Sequence, residues 1–91
     1  MYLGIDIGTS AVKSLVADAE QVVLASVSSP LTTSRPRDLW SEQSPEEWWG
    51  AVAATVVQLR ERLGARWFAI RAIGLSGQMH GAVLLDHDGK P

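Results

Sequence analysis

The chain has 91 residues, 46% of them hydrophobic and 20% charged, which is the composition of one small globular domain. It contains no cysteine, so neither a disulfide framework nor a thiolate metal site can form. The net charge of −2 and the scattered lysines and arginines give no reason to expect nucleic acid or an anionic membrane as partner. The N-terminus lacks the basic region of a signal peptide, and we therefore expect a cytoplasmic protein.

The first 28 residues predict three short strands. Residues 2–7 and 11–17 are largely apolar and are separated by a short Gly-Thr-Ser turn. A second turn at 18–20 leads into a third strand at 21–28. Strands joined by such short turns must be antiparallel neighbours, because a parallel crossover needs about a dozen residues or more. The sequence therefore predicts an antiparallel meander.

A helix is predicted after an irregular segment at 29–43. Ser44 is the expected N-cap, Pro45 suits the first helical position, and Glu47 completes a capping box. Gly64 is the expected residue after the last turn. The apolar stripe of this helix consists of Trp48, Val52, Val56, Leu59 and Leu63.

The remaining residues predict further strands. An apolar run at 68–75 can lie parallel to the first strand, because a helix separates the two. A short strand is expected at 81–85, followed by a hairpin turn at 86–89. Since no return strand follows this turn, we expect the chain to be truncated. The predicted fold class is α/β, with a mixed sheet that opens with an antiparallel meander and continues through a helix crossover.

The first candidate site is the segment from Asp6 to Ser10, with Lys13 just beyond it. A carboxylate at a strand end can hold a hydrated Mg²⁺, and the amides and hydroxyls of Thr9 and Ser10 can donate to phosphate oxygens. Gly8 allows close approach of the backbone. The alternative is an ordinary β-turn, which favours the same small residues. Asp6 favours a functional role, because a charge inside an apolar strand needs a partner or a purpose.

The second candidate site is the segment from Gly74 to Gly81. Its three glycines allow an unusual backbone path, and Gln78 and His80 offer hydrogen bonds where a strand ends, the usual ligand crevice of α/β sheets. Met79 would form an adaptable apolar wall for a sugar or polyol. An equally supported alternative is a surface loop in which His80 bonds only a backbone carbonyl.

The tryptophans favour packing over binding. Trp48 and Trp49 lie in the first turn of the predicted helix, where core packing is the favoured role for both. Trp40 lies in the irregular segment and is equally suited to lining a sugar site and to packing the loop.

Three segments carry a resemblance to a known family. They are G-I-D-I-G-T-S at residues 4–10, S-R-P-R-D-L-W-S-E-Q-S-P-E-E-W-W at 34–49, and A-I-G-L-S-G-Q-M-H-G at 72–81. In this order the chain resembles the start of the FGGY carbohydrate kinases, within the actin-like ATPase superfamily. The first segment is shared across that superfamily, and W-x-E-Q-x-P points to FGGY kinases. The segment S-G-Q-M-H-G resembles the members of the family that act on D-xylulose.

The resemblance implies that residues 1–91 are the N-terminal part of the first FGGY kinase domain, an incomplete RNase H-like domain. It implies an ATP-dependent enzyme that transfers the γ-phosphoryl group to D-xylulose with Mg²⁺, and it leaves a homodimer open. The family's catalytic aspartate lies later in the chain, so Asp6 is not the base. We therefore expect the 91-residue chain alone to be inactive.

The resemblance also assigns roles to individual residues. Asp6 would face the metal, through water, and the phosphates. The residues around the phosphoryl group would be Gly8, Thr9, Ser10 and Lys13, and the sugar-binding residues would be Met79, His80 and Gln78.

Two alternatives stay open at this stage. The first is a sister FGGY kinase that acts on another sugar or polyol. The second is a non-catalytic actin-like module that binds nucleotide or sugar as a sensor or scaffold. Asp6 together with His80 argues against the second alternative.

Overall fold

The computed structural model describes residues 1–78 and 81–91. Within that part of the chain, four strands form one sheet in the order β3-β2-β1-β4. The elements are β1 (Tyr2–Ile7), β2 (Ala11–Ala17), β3 (Val23–Pro30), α1 (Pro45–Leu63), a 3-10 helix (Gly64–Ala69) and β4 (Ala72–Gly77). β1, β2 and β3 pair antiparallel, and β4 pairs parallel with β1. This arrangement confirms the predicted α/β class, the meander and the helix crossover.

The turn between β2 and β3 is longer than predicted, which shifts the third strand towards the C-terminus. The Asp18 carboxylate accepts hydrogen bonds from the backbone N–H groups of Glu20 and Val22, both at 3.0 Å. Gln21 has a φ of 66°, a conformation that a strand excludes. β3 therefore begins at Val23 instead of residue 21.

The helix begins where predicted, but the capping box does not form. Ser44 is the N-cap without a side-chain cap bond, and its hydroxyl donates to Glu46 Oε2 at 3.0 Å. Glu47 Oε1 instead accepts the backbone N–H of Thr32 at 2.7 Å, so it fastens the preceding segment to the helix. The other end agrees with the sequence, because Gly64 follows the last turn with a φ of 57°.

α1 covers one face of β2 and β3 with a narrower stripe than the sequence predicts. Leu59 and Leu63 are buried as expected, but Trp48, Val52 and Val56 are only half-buried at the margin. The N-terminal half of the buried stripe consists of a small residue, Ala51, and a polar residue, Thr55. A prediction based only on large apolar residues overlooks both. The buried helix residues are Ala51, Thr55, Leu59 and Leu63, and the sheet contributes Leu3, Ile5, Val12, Val16 and Val27.

The structure gives different outcomes for the roles predicted for Trp49 and Trp40. The core role expected for Trp49 is wrong: its side chain is 73% exposed, because adjacent helix positions lie about 100° apart and cannot share one face. Trp40 carries the Arg37 guanidinium 5.1 Å from its ring centroid, which agrees with packing inside its own loop.

The segment after α1 corrects two strand predictions. Phe68 lies in the 3-10 helix instead of a strand, and β4 begins only at Ala72. Residues 81–85 form no strand, and no ladder hydrogen bond joins them to other described residues. The turn at 86–89 is present, and Asp86 Oδ1 accepts the backbone N–H groups of Asp88 and Lys90. Among the described residues, no helix is long and apolar enough to cross a membrane.

A polar pair lies inside the sheet–helix interface. The hydroxyls of Ser14 and Thr55 lie 2.8 Å apart, and both residues are fully buried. Thr55 Oγ1 donates to the carbonyl of Val52 at 2.8 Å. A hydroxyl has one hydrogen, so Ser14 is the donor to Thr55. Within the described part of the chain, no buried side-chain oxygen or nitrogen lacks a partner.

The donor–acceptor direction of this pair predicts that a single and a double substitution change stability differently. Thr55→Val should lower the free energy of unfolding by about 1–3 kcal/mol, because it leaves the buried Ser14 hydroxyl without an acceptor. The double variant Ser14→Ala/Thr55→Val should be more stable than Thr55→Val alone, since the stranded group is gone. Urea unfolding of the three proteins measures both effects. A double variant less stable than Thr55→Val would contradict the assigned direction.

Candidate functional site

Asp6 lies on the face of the sheet that α1 does not cover. It is flanked in register by Lys13 of β2 and Ser76 of β4. The Ser76 hydroxyl donates to Asp6 Oδ1 at 2.6 Å. No other hydrogen bond to the Asp6 carboxylate is found among the described residues, so its second oxygen stays available to a ligand. The sheet thus places a carboxylate between a cation and a hydroxyl on one exposed surface.

The turn after β1 is a tight hairpin closed by Gly8. The Gly8 N–H donates to the Ala11 carbonyl at 3.0 Å. A Cβ at Gly8 would lie 3.1 Å from that same oxygen and 3.8 Å from Asp6 Oδ2. Any side chain at this position would therefore crowd the backbone of the hairpin. The requirement for glycine is one of space within the hairpin.

The tip of the hairpin is held through its carbonyl groups. Thr9 O accepts the Gln43 side-chain amide at 2.5 Å, and Ser10 O accepts the Leu31 N–H at 2.9 Å. The N–H groups of Thr9 and Ser10 have no hydrogen-bond partner among the described residues. These two amides and the two exposed hydroxyls are the donors that the sequence assigned to phosphate.

A cleft of about 640 Å³ opens beside this hairpin. The residues that line it include Thr9 of the hairpin and Gln78 after β4. They also include Gln43 of the loop before α1 and Trp48 in the first turn of α1. Gln78 is fixed at the end of β4, because its N–H donates to Ile7 O at 3.1 Å. Gly81, which follows the predicted sugar-binding pair, also lines the cleft. Met79 and His80 themselves lie outside the described residues.

The site fits a hydrated Mg²⁺ better than a fully protein-bound metal ion. The described residues contain no group of three or more His, Asp or Glu side chains that could hold a metal. Mg²⁺ needs less, because it keeps several waters and takes one or two carboxylates together with substrate phosphates. Asp6 is a single exposed carboxylate of that kind.

The sequence predicts no individual role for two residues of the site. Ser76 belongs to the second candidate segment, but nothing local shows that it pairs with Asp6, 70 residues earlier. Gln43 belongs to the segment at 34–49 that resembles the family, and its amide contacts the hairpin tip. The available signal for Gln43 was an amide just before the helix, whereas the pairing of Ser76 with Asp6 follows only from the parallel register of β1 and β4.

Solved structures place this fold among the kinases. A xyloylose kinase from Brucella ovis superimposes with a TM-score of 0.91 at 45% identity, covering 98% of this chain and 19% of that one. A xylulose kinase from Rhodospirillum rubrum gives 0.89 at 31% identity, covering 96% and 18%. The fold is therefore the N-terminal part of an α/β kinase domain of the actin-like ATPase type.

Sequence comparison narrows this class to a family. The model of the FGGY family of carbohydrate kinases, N-terminal domain, matches residues 1–91. The chain belongs to the FGGY family of carbohydrate kinases, as its motifs predicted. The xylulose kinase of Escherichia coli K12 is 45% identical over 86 residues, which are 94% of this chain and 17% of that protein. The chain thus spans less than a fifth of this curated relative.

The geometry of the hairpin predicts the effect of enlarging Gly8. Gly8→Ala should lower the free energy of unfolding by about 1–3 kcal/mol, because the new methyl group overpacks against the Ala11 carbonyl. Gly4→Ala in the preceding strand β1 is the matched control. Its Cβ would meet only the Leu15 side chain at 3.8 Å, an ordinary contact. Equal stability of the two variants in urea unfolding would show that the hairpin relaxes freely.

Proposed function

We propose that the protein containing this chain transfers the γ-phosphoryl group of ATP to D-xylulose and forms xylulose 5-phosphate. The observation that carries the proposal is that Thr9 and Gln78 line one cleft. Thr9 belongs to the hairpin that we propose to face phosphate, and Gln78 to the segment that we propose to bind the sugar. The FGGY family implies a carbohydrate as acceptor and ATP as donor. The similarity to proteins known as xylulose kinases supports D-xylulose as the carbohydrate.

The proposed work of this chain is positioning and charge stabilisation. In phosphoryl transfer the protein takes little part in covalent chemistry, and the rate depends on how hydrogen-bond donors and cations surround the phosphates. Thr9 and Ser10 would donate hydrogen bonds to phosphate oxygens, and Lys13 would add positive charge. Asp6 would hold Mg²⁺ through water, and the ion would neutralise charge on the phosphates.

The sugar half of the site is proposed at the end of β4. Gln78, Met79 and His80 would contact the hydroxyls and the carbon face of the sugar. A general base must take the proton from the attacking hydroxyl, and we assign it to a part of the protein outside residues 1–91. The chain by itself is therefore expected to be inactive. The cytoplasmic location, the role in xylose metabolism and a homodimeric state belong to the same proposal.

A second candidate is a sister FGGY kinase that acts on another polyol. The chain is 33% identical over 90 residues to the glycerol kinase of Rhizobium meliloti, covering 98% of this chain and 18% of that protein. Comparing kcat/KM for xylulose and glycerol with the whole protein separates the two candidates.

The carboxylate of Asp6 should matter far more for turnover than for sugar binding. In the whole protein we expect Asp6→Asn to lower kcat by roughly 10²–10³-fold, the range found when a preorganised electrostatic contact is removed. The KM for xylulose should change little, because the lost interaction strengthens only as charge develops. Asparagine keeps an oxygen for the Ser76 hydroxyl, so the local structure is retained. Steady-state kinetics with each substrate varied measures the effects on kcat and on KM separately.

The matched control for this variant is Asp18→Asn. It removes the same charge at the far end of β2, where Asp18 only caps a turn. We expect parental kcat from it. An unchanged kcat in Asp6→Asn would show that Asp6 is structural.

His80 should act on the sugar and not on ATP. Its loss removes one hydrogen-bond partner, which typically costs ~0.5–1.5 kcal/mol, or up to about 3 for a stranded buried group. His80→Ala should therefore raise the KM for xylulose by roughly threefold to a hundredfold, while the KM for ATP stays unchanged. His87→Ala is the control, since that side chain is 92% exposed in the turn at 86–89. Equal KM values for xylulose in His80→Ala and the parent would remove His80 from the site.

A further inference from the structure

The Gln43 side chain joins three segments that are separate in the sequence. Its Nε2 donates to Thr9 O at 2.5 Å and to Thr33 Oγ1 at 3.0 Å. Its Oε1 accepts the indole Nε1–H of Trp48 at 2.9 Å. The amide therefore connects the hairpin tip, the segment after β3 and the first turn of α1. Both Gln43 and Trp48 are half-buried, and the proposed function gives neither of them a role.

Trp48 decides which way the Gln43 amide faces. An indole N–H can only donate, so the atom opposite it must be the amide oxygen. The amide nitrogen then faces Thr9 and Thr33, and each of its two hydrogens has an acceptor. A flipped amide would face donor against donor at Trp48 and acceptor against acceptor at Thr9. The indole thus fixes Gln43 as a donor towards the hairpin.

The bond to Thr9 O fixes the direction of the next N–H group. Every described peptide bond is trans, so the Thr9 carbonyl and the Ser10 N–H point in opposite directions from one plane. Holding the carbonyl towards Gln43 therefore turns the Ser10 N–H away from the Gln43 amide. Leu31 N–H holds the following carbonyl of Ser10 at 2.9 Å, which fixes the adjacent plane as well.

We propose that Gln43, oriented by Trp48, is a positioning residue that aims the Ser10 N–H at the phosphoryl group during transfer. This inference rests on the proposed function of the hairpin as the phosphate-facing element. A preorganised N–H acts in the transition state, where charge on the phosphoryl oxygens is to be stabilised. Gln43 should therefore influence kcat and leave sugar binding unchanged.

Gln43→Glu in the whole protein is the direct test. The carboxylate has nearly the same shape and still accepts the Trp48 N–H, but it cannot donate to Thr9 O. We expect kcat to fall by about 10- to 100-fold, since a misdirected donor loses part of the ~10²–10³-fold effect of a full deletion. The KM for xylulose should stay within about twofold. The affinity for ADP with aluminium fluoride should fall, while the affinity for ADP alone should not.

Glu47→Ala is the matched control. It removes the 2.7 Å bond that fastens Thr32 to α1, and so loosens the same segment without touching the tip. Its kcat should stay within about twofold of the parent. Trp48→Phe is the second variant, because it keeps the aromatic packing but frees the amide to flip. We expect a fall in kcat of about three- to tenfold, with parental KM for xylulose.

The outcomes separate this inference from the proposed function. If the whole protein phosphorylates no sugar, the proposed function fails and the inference fails with it. If Asp6→Asn loses turnover while Gln43→Glu and Trp48→Phe keep parental kcat, only the role of Gln43 is overturned. A Gln43→Glu protein that loses thermal stability, sugar affinity and ADP affinity together would show a structural role instead. Should Gln43→Glu fail to fold, the kcat and KM of Trp48→Phe decide the question.

Discussion

The two-sided pairing of β1 is the constraint on which the rest of the site depends. β2 pairs with one edge of this strand and β4 with the other, and both registers are continuous from Tyr2 to Ile7. Because side chains alternate between faces, the same register that buries Leu3 and Ile5 under α1 exposes Asp6 on the opposite face. A slip of one residue would exchange those faces and bury the carboxylate. The register that packs the core is thus the same register that places Asp6 on the exposed face.

The hairpin tip depends on a different kind of support. Its own residues are small and exposed, so they contribute little packing that could fix their conformation. The conformation of the tip is instead held by hydrogen bonds that the carbonyls of Thr9 and Ser10 accept from the segment between β3 and α1. Groups that must meet a ligand are best held by contacts that use none of their ligand-facing atoms. In this hairpin the carbonyls form hydrogen bonds within the protein, and the N–H groups of Thr9 and Ser10 stay available to a ligand.

The sequence predicted those parts of the fold that local patterns determine. The meander followed from short turns, the helix from its first and last residues, and the fold class from their order. The capping box failed because the Glu47 carboxylate found a partner outside the helix, which a local motif does not include. The strand expected from residue 68 failed because the chain turns once more in a 3-10 helix before it joins β1. For the site, the Asp6 region was evident from residue types, whereas Ser76 needed the parallel register.

The separation along the chain of Asp6 and Ser76 also bears on the order in which the domain folds. β1, β2 and β3 are joined by short turns, so their pairing closes small loops and is entropically inexpensive. The contact between Asp6 and Ser76 closes a loop of 70 residues, and such long-range contacts generally form later. During synthesis the meander can pair as it emerges, while the second edge of β1 waits for the helix and β4. The carboxylate is therefore expected to acquire its hydroxyl partner only after the meander has formed, and until then one edge of β1 is open to pairing with other chains.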